Sequence, residues 1–187
     1  SIAAVKATKD FIELLNHIGK TELAKSYEKK NEKMIDNIYK YGWDKDHFIY
    51  GINDWREKVG SYDTEDAQIC LNPQTWAVIA GIAEDEQNLL DFVEDKLKCD
   101  FGYVQCTPSY SKPNAHIGRI AYFGKGLFEN GSVYNHGCAF KMVADCIAGR
   151  ADNAYETLKL MSPNNPKNPY QHSGVEPYAT TNMYLGP

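Results

Sequence analysis

The sequence predicts an all-α chain: helical hairpins forming about half of an (α/α)6 barrel, with long aromatic loops. Three observations lead there. Apolar residues recur at helical spacing in successive stretches, and those stretches fall into pairs with short connections. Between the pairs run long segments rich in Gly, Tyr, Phe and Pro, and irregular segments of that length in a compact domain usually carry function. No solenoid-length repeat and no sustained heptad occurs, which removes the solenoid and the coiled coil. A toroid of paired helices, which gathers its long loops around one central site, remains. The 187 residues read as a single segment.

The elements follow in order. Over residues 3–18, Val5, Phe11, Ile12, Leu15 and Ile18 keep helical spacing, and Gly19 ends the run as a left-handed cap residue does. A second helix is predicted over residues 21–41. Thr21 stands at its N-cap, and Leu23, Tyr27, Met34, Ile35, Ile38 and Tyr41 form one stripe among Lys and Glu. Residues 43–61, with Trp43, Asp44, His47, Phe48, Tyr50 and Trp55 around Gly51, read as a short β-excursion or irregular loop. Helical pattern returns with Asn72 as N-cap and Pro73 at the first helical position, followed by Trp76, Ile79, Ala80 and Ile82. A partner over residues 86–97 carries Leu89, Leu90, Val93 and Leu97. Residues 98–134 form the longest aromatic loop. The third pair occupies residues 136–148 and 152–161, joined by Gly149 and Arg150, and residues 162–187 are rich in proline and show no periodicity.

Bulk properties exclude several classes. A net charge of −5 with mixed signs and no basic stripe argues against nucleic-acid binding. No apolar run approaches the roughly 20 residues of a membrane span, and the N-terminus lacks the pattern of a secretory signal. Cysteines at positions 70, 99, 106, 138 and 146 are odd in number and form no CxxC pair. A disulfide framework and a zinc site are therefore not expected, and a reducing cytoplasm is. The His residues show no i, i+4 ligand pair, so no metal is expected either. No G-x-S-x-G, P-loop or G-x-G-x-x-G motif occurs. Thirteen tyrosines suit a sugar site, since each combines a stacking face with a polar tip, and they equally suit the lining of a large helical core.

The richest cluster of chemistry runs from Gly118 to Gly137. It contains Arg119, Lys125, Glu129, Asn130, Ser132, Asn135 and His136 among glycines that admit close approach of a ligand to the backbone. His136 falls where a helix is predicted to begin. Orphan N–H groups and the helix dipole favour an anion there, so a phosphate pocket is one reading. The other is that Asn135 or Ser132 caps the helix and His136 is a buried hydrogen-bonding residue. Glu176 to Asn182 forms a second constellation, in which Glu176 is a sugar-hydroxyl or acid–base candidate or a loop ion-pair residue. Asp44, Asp46 and Asp54 flank turns and are expected to be solvated or capping.

Four runs together carry a family resemblance: Tyr41-Gly42-Trp43-Asp44, Leu71-Asn72-Pro73-Gln74-Thr75-Trp76-Ala77-Val78, Glu129-Asn130-Gly131-Ser132-Val133-Tyr134-Asn135-His136 and Glu176-Pro177-Tyr178. In order and spacing they resemble the glycoside hydrolase family ninety-four phosphorylases over essentially the whole chain. The resemblance implies the second half of an (α/α)6 catalytic domain and an inverting phosphorolysis. A β-linked disaccharide or oligosaccharide plus inorganic phosphate would give an α-sugar-1-phosphate and a free sugar. Phosphate is itself an adequate nucleophile, so one carboxylic acid suffices where an inverting hydrolase needs two. No cofactor is implied beyond phosphate as co-substrate. His136 matches the family's phosphate contact. Arg119, Phe123, Glu129, Asn130, Glu176 and Asn182 match sugar-side positions. Arg119 stands where a glutamate holds the leaving sugar in cellobiose phosphorylase-like members, Phe123 where a tyrosine stands, Phe128 for a lysine and Asn182 for a glutamine. Arg119 reverses the local charge, which points to a sugar-acid acceptor or another linkage. The family's general acid, an Asp in a D-W-N-D-like motif, and its T-G-T-A motif match nothing here, so this chain alone is expected to be inactive. It should need the rest of the barrel, with a homodimer possible. An (α/α)6 inverting glycosidase and a non-catalytic carbohydrate-binding module are the alternatives.

Overall fold

The computed structural model describes residues 1–187. Three helical hairpins dominate: α1 (Ile2–His17) with α2 (Thr21–Gly42), α3 (Leu71–Ile79) with α4 (Glu86–Leu97), and α5 (Asn135–Ile147) with α6 (Ala151–Met161). Helix α1 packs on α3 and α3 on α5, while α2, α4 and α6 each pack on the helix before them. The chain is thus all-α in class, with one layer of adjoining helices and a second layer behind it.

Sequence explains the layers. The helix α3 buries Leu71, Pro73, Gln74, Thr75, Ala77 and Val78, so it is enclosed nearly all round. By contrast α2 buries only Ala24, Asn31 and Ile38, and its Lys and Glu face solvent. One core cluster gathers Val5, Ile38, Phe48, Val78, Leu90 and Ala144 from all three hairpins. A second holds Leu71, Val93, Leu97, Tyr103, Val133 and Cys138 beneath the loops. Each fully buried side chain of this size contributes about 1.5–3 kcal/mol.

Helix starts differ from the sequence expectation in a consistent way. Thr21 is the first residue of α2 and caps nothing, and the structure opens α3 at Leu71, with Asn72 and Pro73 inside its first turn. Neither Asn135 nor Ser132 caps α5, whose N-cap position is Tyr134. Strands run directly into α3 and α5, so the N-cap positions fall to Cys70 and Tyr134, whose side chains make no capping hydrogen bond. The predicted helix through Ile82 stops at Ile79, before Gly81 at φ +59°.

The loops hold ten two-residue strands in five antiparallel pairs. They are β1 (Trp43–Asp44) with β2 (His47–Phe48), β3 (Gly51–Ile52) with β4 (Lys58–Val59), β5 (Ile69–Cys70) with β8 (Cys106–Thr107), β6 (Lys98–Cys99) with β7 (Gly102–Tyr103), and β9 (Val133–Tyr134) with β10 (Met183–Tyr184). A 3-10 turn covers Arg119–Tyr122, and α7 (Tyr170–Ser173) interrupts the tail. Two buried side chains hold the first loop down. Gln74 donates to the Phe48 and Cys70 carbonyls and accepts from Phe48 N–H. Asp44 is buried, not solvated, and accepts from Ser61 Oγ at 2.7 Å and Tyr62 N–H at 3.0 Å.

Behind the loops, Lys141 on α5 is fully buried between Glu94 of α4 and Asp145, 2.6 Å away. Tyr103 and Asn153 also donate to Glu94. Every charge here has a partner, which is the condition for tolerating buried ions.

Candidate functional site

Strands β5 and β9 lead into α3 and α5, and the residue between them is Gln105. Its carbonyl accepts from Leu71 N–H at 3.0 Å and its N–H donates to the Ser132 carbonyl at 2.9 Å. A cavity of about 230 Å³ opens here, lined among others by Tyr50, Asn72, Gln105, Tyr110, Glu129, Tyr134 and His136. Tyr50 and Asn72 also line a wider cleft of about 880 Å³ between the start of α1, the end of α2 and the start of α3.

Apart from Glu129 and His136, the polar side chains of the cavity lining are phenols, thiols and carboxamides. Burial pushes the Tyr50 and Tyr110 phenols up, with Cys70 and Cys106 adding to it. Burial likewise holds the Cys70 thiol well above its ordinary range and moves Cys106 to about 12. Tyr134 is raised by burial first, then by the adjoining Glu129 carboxylate, with Arg119 pulling the other way. The exposed ionisable side chains Glu129 and His136 complete the lining, and Arg119 lies within electrostatic reach of Tyr134.

His136 is exposed at the start of α5 rather than buried. Its ring lies 4.8 Å from Tyr134 and 5.9 Å from Phe140 between centroids, and Phe140 meets Trp76 of α3 at 5.1 Å. Arg119 places its guanidinium 5.2 Å from the centroid of Phe123, and Phe123 packs on Phe128 at 4.6 Å. These three sequence-predicted or family-variant positions form one surface beside the cavity.

Asn130 departs from the expectation of a sugar contact. It is fully buried, accepts from Tyr110 N–H at 2.6 Å and donates to the carbonyls of Tyr110 and Phe123 at 3.1 and 2.8 Å. All of its bonding capacity but one lone pair is used to fasten the loop that carries Arg119 and Phe123. Gly131 next to it has φ +84°, and any side chain there would strike Ser109 Oγ. Glu176 and Asn182 are exposed and do not line the cavity. Asn182 nonetheless accepts from Asn135 N–H at 3.0 Å through its carbonyl, and Thr181 accepts from Asn135 Nδ2 at 2.8 Å, so the tail is fastened beside His136.

Three contributors were not singled out from sequence: Gln105, Tyr110 and Tyr50. No sequence signal marks them: the close approach of the Gln105 carboxamide to Gly137 exists only in the folded chain.

Comparison with known proteins agrees in one direction. The profile of the glycosyl hydrolase 94 superfamily, catalytic domain, matches residues 1–186. Solabiose phosphorylase of Paenibacillus borealis is 42% identical over 100% of this chain and 25% of its own length. A 3-O-beta-D-glucopyranosyl-beta-D-glucuronide phosphorylase of the same organism is 35% identical over 100% of this chain and 24% of its own length. An N,N'-diacetylchitobiose phosphorylase of Vibrio proteolyticus is 26% identical over 96% of this chain and 23% of its own length. The chain thus spans about a quarter of the relatives it matches.

Proposed function

Since the chain belongs to the glycosyl hydrolase 94 superfamily, we propose that it forms part of an inverting phosphorylase that cleaves a β-linked disaccharide or oligosaccharide with inorganic phosphate. The observation that carries this reading is a cavity rich in phenols and carboxamides with the exposed His136 at its edge, on the first turn of α5. A sugar suits the cavity, because phenols and carboxamides supply both donors and acceptors to hydroxyl groups. An anion suits that edge, at the N-terminus of a helix of 13 residues.

Glu129 is the single carboxylate lining the cavity. An inverting hydrolase needs an acid and a base on opposite sides of the bond, whereas phosphate attack needs only the acid. The acid is assigned to a part of the enzyme outside these residues, so this chain alone is inactive. The order of contacts, α1 on α3 on α5 with α2, α4 and α6 behind, supports half of an (α/α)6 barrel whose centre is the cavity side. His136 is assigned to phosphate. Arg119 and Phe123 are assigned to the leaving sugar, with Glu129 at the junction of the two and Glu176 and Asn182 approaching from the tail. Asn130 is a positioning residue for that loop. Phosphate is the co-substrate, no cofactor is invoked, the enzyme acts in the cytoplasm, and a homodimer is the proposed assembly.

Incubating the full-length enzyme with β-linked disaccharides should release an α-sugar-1-phosphate only when phosphate is present. Release of two free sugars at equal rate without phosphate would replace this reading with the inverting glycosidase.

A further inference from the structure

Gln105 lies outside the four runs that carry the family resemblance, yet it is the residue on which the cavity converges. Both of its backbone groups are fixed, to Leu71 at the start of α3 and to Ser132 before β9. Its side chain is only 9% exposed and lines the cavity, and its Nε2 has no hydrogen-bond partner. Asn72, in the first turn of α3, lines the same cavity with an unpartnered buried Oδ1. Native proteins hold few such groups, and each asks for an explanation. Leucine would fill the place of Gln105 without leaving an unpaired amide. Gly137 reinforces the point, because α5 gives up a side chain there and the Gln105 carboxamide takes that space.

We propose that Gln105 and Asn72 jointly read one hydroxyl group of the acceptor sugar, making Gln105 a specificity-determining residue of the enzyme. Both atoms are sealed from solvent, so the two side chains turn toward the bound ring. A hydroxyl then accepts from Gln105 Nε2 and donates to Asn72 Oδ1, satisfying both with one group. A deprotonated phosphate oxygen accepts but cannot donate, so only a P–OH group could compete with a sugar hydroxyl for Asn72 Oδ1. The ring in the cavity is the acceptor's because Ile120, the neighbour of Arg119, forms part of the wall. The cavity of about 230 Å³ leaves room for a pyranose ring. The inference rests on the phosphorylase reading above.

The test is run on the full-length enzyme in the synthetic direction. An α-sugar-1-phosphate serves as donor, and each accepted monosaccharide is compared with its monodeoxy analogues. Wild type should reject one monodeoxy acceptor by about 10- to 100-fold in kcat/KM relative to its parent. Gln105→Leu should bring that pair to near equality, leave discrimination at the other hydroxyls intact, leave the KM for phosphate unchanged in the phosphorolytic direction, and keep or raise Tm. Gln105→Glu, isosteric but lacking the donor, should lose the same contact and serves if the leucine variant fails to fold. Full discrimination retained in a folded Gln105 variant would overturn the proposal, as would a raised KM for phosphate with acceptor discrimination intact. Equal use of all monodeoxy acceptors by wild type would also overturn it. A wild-type enzyme that makes no disaccharide from any sugar-1-phosphate would instead overturn the phosphorylase reading, and this inference with it.

Discussion

Two carboxamides in this chain do opposite jobs, and only their partners tell them apart. Asn130 is bonded to Tyr110 and Phe123, whereas Gln105 Nε2 is bonded to nothing. From sequence, Asn130 sits in a motif and reads as a ligand contact, because the same amide chemistry serves a sugar or a loop. Gln105 carries no local signature, since its relation to Gly137 exists only once the chain is folded. Removing the strut in Asn130→Ala should cost about 1–3 kcal/mol in urea unfolding, the range for leaving buried backbone groups unpaired. An unchanged midpoint would show that water replaces it. Arg119 behaves differently, as its guanidinium lies on Phe123 at the surface. Arg119→Ala should leave stability within about 0.5 kcal/mol and shift the ratio of kcat/KM between acidic and neutral acceptors in the full-length enzyme. An unaltered ratio removes Arg119 from acceptor choice.

Among elements, the six long helices were legible because their apolar spacing extends over several turns. The strands were not, for each has two residues and derives its partner from elsewhere, as Cys70 does from Cys106. The charge cluster joining α4, α5 and α6 was equally hidden, because Glu94, Lys141 and Asp145 look like surface residues in a polar helix pattern. Lys141→Met leaves Glu94 and Asp145 without their buried cation and should cost about 3–5 kcal/mol. The loss should depend on pH. Burial alone would raise Glu94, but hydrogen bonds from Lys141 and Tyr103, with the Lys141 charge, outweigh it and bring it to about 2 from 4.5. A carboxylate held low in the folded state adds stability above its unfolded value, and that contribution disappears as pH falls through the folded one. Asp145 is shifted the other way by burial, so its protonation relieves a penalty. The gap between wild type and Lys141→Met should therefore narrow between pH 4.5 and about 2. A gap that is constant over that range in chemical denaturation would contradict the assignment.

At the scale of the whole chain, α3 touches both neighbouring helices of its layer, while α2 is backed mainly by α1 and the first loop, with Tyr39 tying it to the turn between α3 and α4. Hydrogen exchange should find the amides of α3 and α5 opening only with global unfolding. Those of α2 should exchange through a smaller opening, and uniform protection across all the helices would argue against it. The three hairpins close short connections, but the cavity does not. Leu71, Gln105 and Ser132 meet across long stretches of chain, and the tail must return to pair β10 with β9. Loop closure of that kind is slow compared with helix formation. The helices are thus the early part of the folding reaction and the cavity the late part. Destabilising its seams should speed unfolding while leaving the folding rate nearly untouched. Side chains along those seams can then be exchanged without changing how quickly the scaffold forms.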